Sequence, residues 1–500
     1  MQVELAGYNC DAKLLELAID GGNTSAVSDA FTPEVISAAY ARISRDPRTI
    51  EELLDEACDE VEKARRSNEN IIFKMGHASV AEHAVMNFNV VGISRLAIEY
   101  LERHRLCSYT EKSQRYTKLE DDYHVPFELQ ATVFETMFLE LQASAVLLYN
   151  RFFPKLTEYF KKKHGSKKTN KACEGMAKED ARYVSLLTTT GQLGLTCSAR
   201  NLELIARRCA ANPLQEVQEL GKLLCDEAQL VAPSLVRYSE GTEYDRSFAR
   251  NLSGVICSQL AGKEIMEDSS VKPPGAVSLV STTPTIDSVV GIAYMRCVFP
   301  EESYSACAHR WGLLSPSERR TVFKESLKHL EFYDAAPREF EFGSLTFDCC
   351  VSASCYAQLK RHRMCSQIPY DYDPLLAPVV PESIEEAGLM DEYLHHAADS
   401  ASLYKSIYDK MGPKVAEYVL TNGHRRRVLV EMNMREMYHF CRMRQDGHAQ
   451  WEIRALANEF AGYARHGAPL TSLLLCGKDQ FLDKVHEVYG AEWAEVKKRP

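Results

Sequence analysis

The chain has 500 residues, 45% apolar and 26% charged, with a formal net charge of −11. That length accommodates two to four domains with full cores. The acidic balance disfavours wholesale nucleic-acid binding, and no run reaches the roughly 18 apolar residues that span a bilayer. The sixteen cysteines include no Cys-x-x-Cys pair, and the opening Met-Gln-Val-Glu-Leu lacks signal-peptide character. Reduced, mostly buried thiols and a cytoplasmic location are therefore expected.

In chain order, residues 1–30 read as a short strand and loop. Val35, Ile36, Ala39 and Ile43 give a helical period over 33–46. Residues 50–67 form a second amphipathic pattern, acidic early, with Lys63, Arg65 and Arg66 late, as the helix dipole favours. Gly76-His77-Ala78-Ser79-Val80-Ala81-Glu82-His83 follows. Its two histidines and glutamate lie at i, i+5 and i+6, which fits no helical metal pair, so no metal is expected. Residues 87–91 alternate like a strand, and 94–101 form a helix that delivers the chain to Arg103.

The stretch Leu101 to Tyr116 carries Arg103-His104-Arg105 and then Glu111, Ser113 and Arg115 at i, i+2 and i+4. In an extended segment those three share one face. A carboxylate, a hydroxyl and arginine forks on one face suit an anionic, hydrogen-bonding ligand such as a nucleotide. A solvated, charged helix end accounts for the same residues equally well. The stretch recurs: Arg361-His362-Arg363-Met364-Cys365-Ser366 follows Arg103-His104-Arg105-Leu106-Cys107-Ser108 after 361 − 103 = 258 residues. This predicts two copies of one unit. Residues 127–163 read as helical, and the lysine run 161–168 as a solvated loop. Pro273-Pro274-Gly275 and a Ser/Thr-rich tail mark a linker. The expected organisation is a first domain over 1–262, a linker over 263–285 and a second domain over 286–500. In the second half, 342–351 reads as a strand. Arg435, His439 and Arg442 share one helical stripe, which by itself could be a salt-bridged surface.

Gly76-His77-x-Ser79-x-x-Glu82-His83, Arg103-His104-Arg105 and Ser108-x-x-Glu111-x-Ser113-x-Arg115 together resemble the flavin-dependent thymidylate synthases. The signature of that family is Arg-His-Arg, seven residues, then Ser. The resemblance covers most of the chain as two copies. It implies an α/β fold with a mixed sheet and long helices, duplicated. Glu179-Asp180-Ala181-Arg182 resembles the family's nucleotide-contacting arginine element, and Ser198-Ala199-Arg200-Asn201-Leu202 its Asn-Ala-Arg helix start. Beyond it the family's Arg and His fall near Arg208 or Cys209 and Asn212. In the second copy, residues 334–340 stand where the first has its histidines, with Glu339 for Glu82. Gln358-x-x-Arg361-His362-Arg363 matches the family's motif, where the first copy has Tyr100 for the glutamine. Pro369, Asp371 and Asp373 take the places of Glu111, Ser113 and Arg115, and Glu417 that of Arg182. The run from Asn433 to Arg444 and His448 resembles the family's C-terminal helix.

The resemblance implies reductive methylation of dUMP to dTMP, with methylenetetrahydrofolate as carbon donor, NADPH as reductant and FAD as cofactor. It places dUMP on Gln358, Arg361, Glu111, Ser113, Gln114, Arg115, Arg182 and Arg444. Arg444 would stabilise charge on the uracil, and Ser113 would act beside it to orient the nucleotide. It places FAD on Ser79, Arg103, His104, Arg105, Glu111, Arg361, His362, Arg363, Asn433, Arg435, His439 and His448. Cys107 and Cys365 recur in both copies and are expected to pack rather than react. In the family the site is built between subunits of a homotetramer. Each copy here lacks what the other keeps, so a complete site is expected where a first copy meets a second. A homodimer would then mimic the tetramer. The opposite pairing gathers Asp371, Asp373 and Glu417, and like charges at about 4 Å repel by roughly 4 kcal/mol at an effective dielectric near 20. No nucleic-acid or membrane partner is expected. A catalytically inactive flavin- or nucleotide-binding homologue, acting as a sensor or scaffold, is the alternative that the missing second-copy histidines favour.

Overall fold

Two four-stranded sheets organise the chain. In this computed structural model, residues 1–21, 25–119, 122–263, 277–491 and 493 are described. The first sheet contains β1 (Gln2–Tyr8), β2 (Val85–Ser94), β3 (Ser108–Glu111) and β4 (Thr190–Ser198), in the order β1-β2-β4-β3. The second contains β5 (Val277–Thr282), β6 (Ser344–Ser352), β7 (Ser366–Tyr372) and β8 (Arg425–Asn433), in the order β5-β6-β8-β7. The repeated topology is the duplicated α/β fold. The sheets, implied to be mixed, are antiparallel in every pairing among the described residues, because the chain reverses between each pair of neighbours.

Alternation explains the strands. In β2, Met86, Phe88 and Val90 are buried while Asn87, Asn89 and Val91 face out. In the second unit Phe347 of β6 stacks on Phe460 of the helix Trp451–Gly467, with ring centroids 4.1 Å apart. Burying each such side chain contributes about 1.5–3 kcal/mol. Elsewhere the sequence pattern needs amendment. Residues 50–67 form two helices, Ile50–Asp59 and Val61–Glu69, because Glu60 leaves helical geometry at φ −122, ψ 57. Within 1–30, Asp11 caps an additional helix, Ala12–Ile19. Lys161, Lys162 and Lys163 belong to the last turn of the helix Val133–His164, where cations complement the dipole.

The chain divides into two compact units, Met1–Glu267 with Ser383–Thr421, and Asp268–Glu382 with Asn422–Pro500. The helix Met390–Met411 therefore belongs to the first unit although it lies within 286–500. Its anchoring is polar as well as apolar. His396 Nε2 lies 3.0 Å from the Val184 carbonyl, Leu187 N donates to Leu420 O at 2.8 Å, and the Tyr418 hydroxyl donates to Glu216 at 2.7 Å. Of the expected linker, 264–276 lie outside the described residues, and Val277–Thr282 pair with β6 as an edge strand. No helix among the described residues is long and apolar enough to cross a membrane.

Candidate active site

In the first unit the site begins with a clamp. Ser94 caps the helix Arg95–Leu101, and its N and Oγ both donate to the buried Glu216 carboxylate, at 2.7 and 2.6 Å. That fixes the helix leading to Arg103-His104-Arg105. His104 is buried with Nδ1 3.0 Å from the Leu101 carbonyl, and burial pushes its pKa down to about 4. The Tyr109 hydroxyl donates to the carbonyls of Leu101 and His104. Arg103 is half-buried and Arg105 exposed.

From this frame β3 delivers Glu111, whose carboxylate pairs with Arg95 at 2.8 Å with both side chains at most 5% exposed. The expected extended face over 111–115 ends there. The Arg115 amide donates to Ser113 Oγ at 3.2 Å and Tyr116 N to Ser113 O, so the chain turns after Lys112. The turn brings Arg115 to Glu179 at 2.5 Å. Arg182, buried, donates from Nε to the Glu179 carbonyl at 3.2 Å. Burial depresses the Arg182 pKa, Glu179 opposes that shift, and Arg95 and Arg115 add to it. Arg95, Arg115 and Arg182 thus gather with the Glu111 and Glu179 carboxylates in a largely desolvated cluster. Beside it lies a small pocket of about 30 Å³, partly open to solvent, lined by Ile98, Glu111, Lys112, Gln114, Thr190 and Gly191. Ser79 lies elsewhere in this unit, in a groove with Tyr40, Arg45, His77, Glu82 and His83.

The second unit repeats the clamp. Ser352 N and Oγ donate to Glu452 at 2.9 and 2.5 Å. From the helix Ala353–Leu359 it presents Gln358, against which Arg444 folds. Arg444 Nη2 donates to the Gln358 carbonyl at 3.2 Å and Nε to His362 Nε2 at 2.9 Å. The acceptor role of Nε2 puts the His362 proton on Nδ1, 3.2 Å from Glu436. Burial first, and then the Arg444 charge, hold the His362 pKa well below its ordinary value. His362, Glu436 and His439 place ligand atoms within 4.8 Å of one another, but both His362 nitrogens already face partners.

Asn433 caps the helix Met434–Arg444 by accepting from Glu436 N at 2.9 Å. Arg435 pairs with Glu341 at 2.7 Å and donates to the Ala336 carbonyl. Asn433, Arg435, His439 and Arg442 line one open groove of about 440 Å³ with Asp334 and Met364. Arg442 donates to the Asp334 carbonyl, while its buried Nη2 has no hydrogen-bond partner among the described residues. Arg361 is exposed and Arg363 half-buried. His448 is 95% exposed and pairs with Asp446 at 2.8 Å, away from the residues that line the groove.

Strand register settles correspondences that spacing left open. Val85 pairs with Ser198 and Ser344 with Asn433, so Glu82 answers to Glu341, not Glu339. The ion pairs agree, Glu82 with Arg200 and Glu341 with Arg435. A one-residue bulge at Gly92, φ 73, separates the two numberings. Counting from the caps Ser198 and Asn433, Arg444 answers to the buried Cys209. Sequence reasoning missed Arg95 and Lys112 and gave Arg442 no role. The signal for Arg95 is a lone charge in the apolar run 93–98, directly after a capping serine.

The model of the family described as thymidylate synthase complementing protein matches residues 27–234 and again 278–470. A flavin-dependent thymidylate synthase of Clostridium tetani is 31% identical over 210 residues, 41% of this chain and 82% of the relative. One from Sulfurisphaera tokodaii is 30% identical over 164 residues, 33% of this chain and 57% of its own length. A Chlamydia muridarum protein named only UPF0159 protein is 21% identical over 420 residues, 80% of this chain and 78% of the relative. Two matched regions, each carrying one serine–glutamate clamp, mean that the chain belongs to the flavin-dependent thymidylate synthase family and carries its domain twice in tandem.

Proposed function

We propose that the protein is a flavin-dependent thymidylate synthase that methylates dUMP reductively, using methylenetetrahydrofolate and NADPH, at sites joining the first unit of one chain to the second unit of its partner in a homodimer. The supporting observation is complementarity. The first unit has the Arg95, Arg115 and Arg182 cluster around Glu111 and Glu179 but Cys209 for Arg444. The second has the Arg444–Gln358–His362 array but Ala353, Pro369, Asp373 and Glu417 for Arg95, Glu111, Arg115 and Arg182.

In this reading Arg115 and Arg182 take the phosphate of dUMP, with Arg361 beside it. Arg182 is a buried guanidinium close to Arg115, and guanidinium forks suit the oxygens of a phosphate. Glu111, Ser113, Gln114 and Gln358 orient the nucleoside by hydrogen bonds. Arg444, aimed by His362 and the Gln358 carbonyl, stabilises negative charge developing on the uracil. The groove with Asn433, Arg435, His439 and the Arg442 Nη2 fits the diphosphate of FAD, which needs buried donors and cations. His362 and Arg363 support that wall. Ser79, Arg103, His104 and Arg105 would reach the same cofactor from the first unit of the partner. When bound, FAD supplies the redox chemistry. The inactive-homologue reading is favoured by one feature: register puts Ala336, Arg338 and Phe342 where the first unit has His77, Ser79 and His83.

Mixing separates the readings. Arg115→Ala and Arg444→Ala chains should each lose about 10²- to 10³-fold in dTMP formation. Allowed to exchange subunits, they should recover about a quarter of wild-type activity. Half of randomly assorted dimers are mixed, and each mixed dimer has one intact site. Recovery of nothing would refute sites shared between chains, and no turnover by the wild-type protein loaded with FAD would favour the inactive homologue.

A further inference from the structure

The second unit contains its own counterpart of the pocket beside Glu111. Ser94 pairs with Thr190 and Ser352 with Arg425, so Gly191 answers to Arg426. Counting from the caps Ser94 and Ser352, Ile98 answers to Tyr356. By strand register Glu111 answers to Pro369, with Lys112 and Tyr370 next in each unit; there the register of β7 shifts, and Tyr372 pairs with Arg426 itself. A side chain at this position in the first unit would require the end of Ile98 to shift, because a Cβ on Gly191 would lie 2.7 Å from Ile98 Cδ1.

In the second unit the Arg426 side chain occupies that place, fully buried. Its Nε donates to the Tyr370 carbonyl at 2.7 Å. The guanidinium lies over the Tyr372 ring, 4.0 Å from the centroid, and 5.1 Å from that of Tyr356. Two residues that replace the pocket lining, Tyr356 and Tyr370, and Tyr372 opposite Arg426 therefore hold this one planar cation. Aromatic faces and a carbonyl suit a guanidinium, whose charge is diffuse and flat, better than a compact ammonium. The loop alongside has changed in the same sense, with Asp371 and Asp373 for Ser113 and Arg115.

We infer that the second-unit pocket is a guanidinium site filled by the chain's own Arg426, so that each chain binds nucleotide once. The inference rests on reading the first-unit pocket as the nucleotide pocket. Removing the Arg426 side chain should leave a cage for a small guanidinium compound, not a second nucleotide site.

The test uses the full-length protein and its Arg426→Ala variant, with thermal unfolding in millimolar methylguanidinium or methylammonium chloride and calorimetric titration with dUMP. The variant should lose at least about 4 °C in Tm. Methylguanidinium should restore most of the loss, methylammonium should not, and the wild type should respond to neither. Both proteins should bind one dUMP per chain. A Tm within about 1 °C of wild type, a loss that methylguanidinium does not restore, or two dUMP per chain would overturn the inference. If Arg426→Ala does not fold, Arg426→Lys decides: it keeps the charge without the plane and should unfold below wild type, and equality would overturn the cage. If no dUMP binds to either protein, the nucleotide reading of the first unit fails, while the methylguanidinium response still judges the cage.

Discussion

His104 and His362 occupy the same place in the two units, and both are kept neutral, chiefly by burial. A histidine whose folded pKa lies below its unfolded value near 6.5 takes up protons on unfolding. Its contribution is therefore complete above pH 6.5 and is lost as pH falls toward the folded value. For His104, depressed to about 4, acidification from pH 7 to pH 5 should remove about 2 kcal/mol. Urea midpoints measured across that range should fall, and His104→Gln should flatten the slope. The Arg95–Glu111 pair makes a second prediction. Arg95→Met removes the guanidinium paired with the buried Glu111 carboxylate and should cost about 3–5 kcal/mol, whereas the double variant with Glu111→Leu should recover most of it in denaturant unfolding. The second unit supports treating them as one, since Ala353 and Pro369 replace both. Glu111 was legible because it sits inside a motif. Arg95 was not, because a charge after a capping serine also suits an ordinary helix start, and only β3 reveals its partner.

At the scale of elements, the serine–glutamate clamps join each capped helix to a helix more than a hundred residues away or nearly so, Ser94 to Glu216 and Ser352 to Glu452. Ser352→Ala removes a cap and a partner of a buried carboxylate, and should cost about 1–3 kcal/mol by thermal unfolding. Local periodicity showed the strand at 87–91 and the helix at 94–101, because each has a buried face with its own repeat. It could not show β5, a polar half-exposed edge following Pro273-Pro274-Gly275, which reads as linker. Nor could it place Glu341, since a bulge at Gly92 shifts the count by one and only strand pairing exposes the shift. The turn at Ser113 was hidden for a related reason. A hydroxyl that captures the amide two residues on breaks an extended run without any glycine or proline to announce it.

At the scale of the whole molecule, duplication was legible from a repeated hexapeptide, while the division of the chain was not. Spacing suggests two consecutive domains; the contacts assign Ser383–Thr421 to the first unit. No local pattern distinguishes a helix that packs within its own repeat from one that packs on the other. A chain ending at Glu267 should expose the groups that meet Leu420, His396 and Tyr418, including the Val184 carbonyl and Glu216. Losing these buried partners should lower its unfolding midpoint by several kcal/mol of stability. Adding a peptide of residues 383–421 should restore protection of Leu187 N in hydrogen exchange.

The same division has a consequence for biosynthesis. The first unit is not complete when its own repeat has left the ribosome, and must wait for Thr421. Between Glu267 and Thr421 lie 421 − 267 = 154 residues, a delay of roughly 8–30 s at about 5–20 residues per second. Throughout that interval the nascent chain displays an unfinished core, a window in which chaperones would have a substrate and slower translation would lengthen the exposure.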